Sequence, residues 1–172
     1  MIMETYANHV IVVFCYIIKN KNLVLLTRRK LPPNQFESTV VGGKKEQGED
    51  LVGACKREVK EETNLELSSV KLRGIVNVSH KNKPYEVVSV YFESRDLRGD
   101  LKESQEGEVF WASIEDSDKL PSISEFYLRI SPYVYEQDEI FMGRISVDER
   151  GKIEHCQIKA ERDVDNECSI NS

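Results

Sequence analysis

Three glutamates within five residues, Glu58, Glu61 and Glu62, follow Arg57 in the stretch GKKEQGEDLVGACKREVKEETNL, Gly43 to Leu65. The spacing predicts a helix from about Asp50 to Thr63. At about 100° per residue, Glu58 and Glu62 fall nearly above one another, with Glu61 slightly to one side. Val52, Cys55 and Val59 make the neighbouring apolar stripe, so the carboxylates are expected at the edge of the buried face. In isolation this arrangement is unfavourable: like charges at i,i+4 cost roughly a few tenths of a kcal/mol, and acids near the C-terminal end oppose the helix dipole. A hard divalent cation such as Mg²⁺ removes the repulsion, because it prefers carboxylate oxygens and keeps waters and phosphates as its other ligands. Taken alone, the same cluster also reads as a solvated, charged helix face.

The surroundings decide between these readings. The stretch resembles the Nudix box, G-x5-E-x7-R-E-U-x-E-E-x-G-U with U aliphatic, and Gly43, Glu49, Arg57, Glu58, Val59, Glu61, Glu62 and Leu65 stand at the required positions. One position departs: Asn64 replaces glycine, and asparagine is the next residue after glycine to accept the left-handed conformation that closes a helix. The resemblance implies a Nudix α/β/α sandwich, an α/β (α+β) fold with a mixed β-sheet between helices. It implies that Glu58 and Glu62 hold Mg²⁺ (or Mn²⁺) directly, with Glu61, Glu106 and the Gly42 carbonyl completing or bridging the site. Glu58 or Glu106 then serves as general base. Arg57, expected on a different side of the helix from Glu58, orients the carboxylates through a salt bridge with Glu49.

The implied reaction is metal-dependent hydrolysis of a nucleoside diphosphate linked to another group, most simply a MutT-like cleavage of a nucleoside triphosphate at a phosphoanhydride. The nearest alternative is an ADP-ribose or nucleotide-sugar diphosphatase. A non-catalytic nucleotide-binding sensor is the alternative from another class, and it is disfavoured because no acid of the box is missing. Guanine-oxidation sanitisers of the family carry an asparagine where spacing gives Thr39 here, and a pair of acids after the tryptophan where only Glu125 is near, so an 8-oxoguanine nucleotide is not the expected substrate.

The elements that position these residues follow from pattern. His9–Ile18 is rich in β-branched residues and reads as a buried strand, returning after a polar turn as Leu23–Arg29. That strand ends in Thr27-Arg28-Arg29, so Arg29, or Arg28, is placed to reach a substrate phosphate through a planar guanidinium. Pro32-Pro33-Asn34 requires a loop. A short strand, Ser38–Val41, delivers Gly42-Gly43, where a side chain would block the close approach of main chain to a metal. Thr39 and Lys44 complete the candidate substrate contacts, Lys44 by steering an anion. Val70–Val78, Val87–Glu93 and Gly107–Trp111 read as further strands, Asp96–Gln105 as a charged loop, and Ser113–Asp118 as a helical turn capped by Ser113. Glu106 lies in the segment just ahead of the Trp111 strand, with Glu103 and Glu108 as rivals for its role. Ser122–Tyr135 reads as a second helix whose apolar face is core, with Phe126 or Tyr127 the best candidates to touch a base. Glu139–Val147 and Lys152–Ile158 make a late hairpin. Two helices and seven or eight strands are expected, residues 1–158 forming one domain and 159–172 a frayed polar tail.

Composition bounds the partners. A chain of 172 residues with 40% hydrophobic content supports one core. A net charge of −6 argues against coating long nucleic acid, leaving a small phosphorylated nucleotide as the partner. The longest apolar run, Val10–Ile18, is too short to span a membrane. Cys15, Cys55, Cys156 and Cys168 form no CxxC pair, as expected of reduced thiols in a cytoplasmic protein. Oligomeric state is not legible; the late hairpin offers a homodimer interface without requiring one.

Overall fold

A computed structural model describes residues 8–30, 36–105 and 107–161. Its centre is β1 (Asn8–Lys19), whose run of Val, Ile and aromatic residues is buried from Cys15 to Ile18. β1 pairs in parallel with β7 (Tyr85–Ser94) along most of its length, from Asn8↔Tyr85 to Ile17↔Ser94. Asn20 and Lys21, both at positive φ (53° and 66°), turn the chain into β2 (Leu23–Arg29), a backbone twist suited to a tight hairpin. β1 and β2 pair only at Ile18↔Val24 and Lys19↔Leu23 and then diverge. β1 takes β4 (Val41–Lys44) as its second neighbour, whereas β2 pairs with β3 (Ser38–Thr39) and β9 (Gly107–Ser113). On the far side of β7 come β6 (Lys71–His80), β10 (Ile140–Val147) and the edge strand β11 (Ile153–Glu161). The β1–β7 and β6–β10 pairs are parallel and the rest antiparallel, so the sheet is mixed.

Both faces of the sheet are covered at its centre, which is why β1 and β2 are apolar on both sides there. Helix α1 (Leu51–Thr63) lays Ala54, Cys55 and Val59 against Val13, Cys15, Val41 and Val90. Helix α3 (Glu125–Tyr135) lays Tyr127, Ile130 and Val134 against Tyr16, Val76, Phe141 and Ile145 on the other face. Each fully buried side chain of this kind contributes roughly 1.5–3 kcal/mol. The result is the α/β/α sandwich expected from the sequence.

Several boundaries differ from expectation. The described residues hold eleven strands and three helices. The stretch Ser38–Val41 is two strands, and Gly42 and Gly43 lie within β4 instead of in a turn. The charged loop contains β8 (Leu97–Arg98), which pairs with β5 (Glu66–Leu67) in a small separate sheet. The one-turn helix α2 (Ile114–Ser117) has no side-chain cap from Ser113, and α3 begins at Glu125 after the N-cap residue Ser124 instead of at Ser122. Val52 is exposed at 42%; the buried arc of α1 runs instead through Ala54, Cys55, Val59, Glu62 and Thr63. β11 continues to Glu161, past the expected end at Ile158, because its ladder with β10 extends to Ile140↔Glu161. Cys15 and Cys55 are buried free thiols and Cys156 is exposed; Cys168 lies outside the described residues. The neighbouring Cys55 thiol, then burial, push the Cys15 thiol well above its ordinary range, which suits packing and not nucleophilic chemistry.

Asn64 confirms its reading: it sits at φ 62°, its N–H donates to the Lys60 carbonyl at 2.9 Å, and its Nδ2 also donates to the Asp100 carbonyl at 2.9 Å. The asparagine therefore both ends the helix and ties down the 96–105 loop. A second anchor was invisible in sequence. Arg73, 1% exposed, occupies the bulge between Leu72 and Gly74, and its Nη2 donates to the carbonyls of Tyr133 (3.1 Å), Val134 (3.3 Å) and Gln137 at the C-terminal end of α3. Glu93 Oε2, 3.7 Å from Nε, balances the charge.

Asn64→Ala is expected to cost about 1–2 kcal/mol in urea denaturation, the strain of a left-handed non-glycine residue. Arg73→Ala is expected to cost about 3 kcal/mol, because it leaves three helix-end carbonyls without their donor while Glu93 keeps Arg95; Arg73→Lys recovers only part, lacking the fork that spans them.

Candidate active site

Asp50 starts α1 by accepting a hydrogen bond from Gly53 N at 2.7 Å, so the helix begins directly after the loop that carries Glu49. Arg57, two turns in, uses its guanidinium as a clamp. Nε and Nη2 donate to the two oxygens of Glu49 at 3.1 and 2.8 Å, a bidentate pair. Nη1 donates to Glu58 Oε1 at 2.8 Å and Glu61 Oε2 at 3.0 Å, and Nη2 also reaches the Lys44 carbonyl at 2.9 Å. Arg57 was expected on another side of the helix from Glu58, but its long side chain wraps round to reach it. Glu46 N donates to Glu49 Oε1 at 2.5 Å, fixing the loop from the other end.

The Arg57 bond, then the Glu46 amide, hold the Glu49 carboxyl down at about 2. A carboxylate lowered in the folded state contributes stability that is complete above its ordinary value and is lost as pH falls towards the folded one. The clamp therefore persists until pH drops below about 4.5 towards about 2. Arg57 itself is raised further, chiefly by Glu49, and is a cation at every working pH.

Glu58 lies against the main chain of β4. A Cβ placed on Gly43 would sit 2.3 Å from the Glu58 carboxylate, so only glycine leaves room for it. Gly42, facing the other way, would put a Cβ 2.3 Å from the Val13 carbonyl and 2.6 Å from the Phe14 ring. Glu62 is 8% exposed and lines a narrow cavity of about 40 Å³ with Phe14, Thr27, Arg29, Thr39 and Gly42. That cavity shares Phe14, Arg29 and Thr39 with a wider one of about 220 Å³. Val78, Val87, Tyr91 and Phe126 form the apolar wall of the wider cavity, and Glu37, His80, Ser89 and Ser124 are its polar groups. Desolvation, then Lys83, lower the His80 imidazole below its ordinary value, so it is neutral at pH 7. Larger depressions of about 580 and 680 Å³ run along β11, remote from α1; the narrower cleft is the one that meets the carboxylates.

The structure brings Glu49, Arg57, Glu58, Glu61 and Glu62 together on one helix-and-loop unit, with Gly42, Arg29 and Thr39 at the adjoining cavity. Glu61, 60% exposed at its side chain, is turned towards Arg57. Alternation along β4 puts Lys44, exposed, on the same face as Gly42. Arg28 does not join the group: it faces the other side of β2, 3.5 Å from Glu108 Oε2 and stacked over Phe110. Glu106 lies outside the described residues. Its rivals are engaged elsewhere, Glu103 with Lys30 at 3.1 Å and Glu108 with Arg28. Glu125 accepts from Arg129 at the start of α3. Of the aromatic pair, Phe126 lines the cleft, while Tyr127 is 2% exposed and donates to Ser117 Oγ in the core. Sequence reasoning missed Glu37, His80 and Ser89. The signal for Glu37 was its place two residues before Thr39, on the same strand face, once β3 is registered against β2.

The donor set at α1 is all oxygen, which fits a hard divalent ion and not a soft one. Among the described residues, no three acid, imidazole or thiol side chains form a ready-made metal cage. Magnesium is seldom held that way; one or two carboxylates with waters and phosphates suffice, and Glu58 and Glu62 supply two. No helix among the described residues is long and apolar enough to cross a membrane.

These features agree with the comparisons to known proteins. The family model for the NUDIX domain matches residues 8–134. A mutator MutT protein from Bacillus halodurans superposes with a TM-score of 0.78 at 23% identity, over 89% of this chain and 99% of that one. A MutT protein from Methanosarcina mazei gives 0.64 at 26% identity, over 77% and 98%. The NUDIX domain of Shewanella oneidensis NrtR, solved with ADP ribose, gives 0.62 at 15%, over 77% and 88%. With the match spanning most of the chain and every acid of the box in place on α1 or the loop before it, the protein belongs to the NUDIX domain family and is a Nudix pyrophosphohydrolase.

Proposed function

We propose that the substrate is a nucleoside diphosphate linked to a further group, most simply a nucleoside triphosphate, hydrolysed at a phosphoanhydride with Mg²⁺ or Mn²⁺. The observation that carries this reading is a shared wall: Phe14, Arg29 and Thr39 line both the cavity holding Glu62 and Gly42 and a wider one with an apolar side. A polyphosphate with an aromatic base attached matches that pair of surfaces. Glu58 and Glu62 are the residues to hold the cation, with Glu61, Glu106 and the Gly42 carbonyl as supplementary oxygens. When bound, such an ion neutralises phosphate oxygens and makes hydroxide available near neutral pH.

The remaining work falls to the chain itself. Arg57 fixes one oxygen of Glu58 and, through Glu49, sets the loop against the helix; partners of this kind commonly matter about 10–100-fold in metal sites. Gly43 lets the Glu58 carboxylate lie against the main chain of β4. Arg29 meets a phosphate from the rim, where its fork gives two parallel hydrogen bonds. Thr39 offers a hydroxyl beside it, and exposed Lys44 adds positive charge on the same face. Phe126, Val78 and Val87 exclude water around the base. ADP-ribose, the compound bound in the Shewanella relative, is the second reading, because it presents phosphates, sugar and base in the same order.

A screen of nucleoside triphosphates, nucleotide sugars and ADP-ribose with Mg²⁺ and Mn²⁺, reading phosphate and pyrophosphate separately, tests the substrate class; the proposal requires turnover of triphosphates and fails if only non-nucleotide diphosphates react. Glu58→Gln and Glu62→Gln are expected to lower metal-dependent kcat by at least about 100-fold with an unchanged melting curve, and wild-type rates from either would remove the ion from this helix. Arg29→Ala is expected to raise KM roughly tenfold, the loss of a charged hydrogen bond; an equal KM would return Arg29 to solvent.

A further inference from the structure

Glu37 is an acid in a cleft that otherwise suits an anion. Arg29 N donates to the Glu37 carbonyl at 3.1 Å, continuing the register Thr27↔Thr39 and Arg28↔Ser38, so Arg29 and Glu37 stand directly opposite one another. Alternation then places Thr27, Arg29, Glu37 and Thr39 on one face, the face that opens on the cleft. Opposite charges facing across two strands ordinarily pair. Among the described residues no ion pair joins these two, and both line the wider cavity.

We infer that Glu37 binds the ribose hydroxyls of the substrate, so that the cleft prefers ribonucleotides to 2′-deoxyribonucleotides. This deepens the nucleotide reading and rests on it. An ionised carboxylate only accepts hydrogen bonds, so a phosphate is repelled from Glu37 and a neighbouring donor is drawn to it. The groups of a nucleotide follow in fixed order, phosphate, sugar, base. Glu62 and Gly42 line the narrow cavity, Arg29 lines both, and Glu37, opposite Arg29, lines the wider one with Val78, Val87 and Phe126. With phosphate on Arg29, the next group is the sugar, whose adjacent 2′- and 3′-hydroxyls present two donors to two carboxylate oxygens. A carboxylate takes the ribose 2′-hydroxyl in the same manner in dinucleotide-binding folds. The base then reaches the apolar wall, where an acid would be out of place.

The test is calorimetric titration of wild type and Glu37→Gln, without divalent metal, with AMP, 2′-deoxy-AMP, GMP and 2′-deoxy-GMP. Hydrolysis of the corresponding triphosphates with Mg²⁺ runs alongside. Wild type is expected to bind each ribonucleotide roughly tenfold or more tightly than its deoxy partner, the scale of a hydrogen bond to a charged group. In Glu37→Gln that ratio falls towards one for both bases, while the order of adenine and guanine is kept. Equal binding of ribo and deoxy forms by wild type overturns the assignment without needing any variant. So does an unchanged ratio in Glu37→Gln, or a change in base order alone, which would put Glu37 on the base edge. Ribose selection in binding with no triphosphate turnover would support the sugar assignment and remove the reaction; equal turnover of ribo and deoxy triphosphates would do the reverse.

Discussion

The Arg57 guanidinium is the contact on which the site depends. Four acidic or carbonyl groups converge on one rigid fork: Glu49, Glu58, Glu61, and the Lys44 carbonyl on β4. They come from three segments, the strand, the loop and the helix. Without a fixed cation among them, three carboxylates brought this close would repel and splay. Arginine serves here where lysine would not, because the fork reaches in several directions at once and cannot lose its proton. The cost of collecting negative charge on a helix is thus met locally, by the protein's own cation.

How much of this was legible depended on whether the information was local. The helix, its glutamates and its left-handed end at Asn64 are fixed by spacing within two dozen residues, and all appear as read. The long strands were also plain, because β-branched runs bounded by turns leave few choices. What could not be read was whatever depends on register between distant segments. The choice between Arg28 and Arg29 is one case: β2 lies between β3 and β9, and that pairing turns Arg28 towards Glu108 and Arg29 into the cleft. Arg73 is another, since the helix-end carbonyls it binds are sixty or more residues away in the chain. The walls of the cleft come from β1, β3, β6, β7 and α3, and no window of sequence contains them together.

The two anchors, Asn64 and Arg73, act on opposite faces of the sheet. Asn64 ties the 96–105 loop to the end of α1, and that loop leads into β9. Arg73 ties the end of α3 to β6, and α3 carries Phe126 into the cleft. Neither touches the carboxylates, yet each holds one side of the space in which a substrate must fit.

The splay of the first hairpin has a wider meaning. Because β1 and β2 part after two residue pairs, the opening between them is made by backbone paths and not by the removal of side chains. Such a gap survives replacement of the residues that line it, since the strands forming its edges are held by their outer neighbours. A scaffold of that kind can change the lining of the gap while α1 keeps its place on the opposite side of β4.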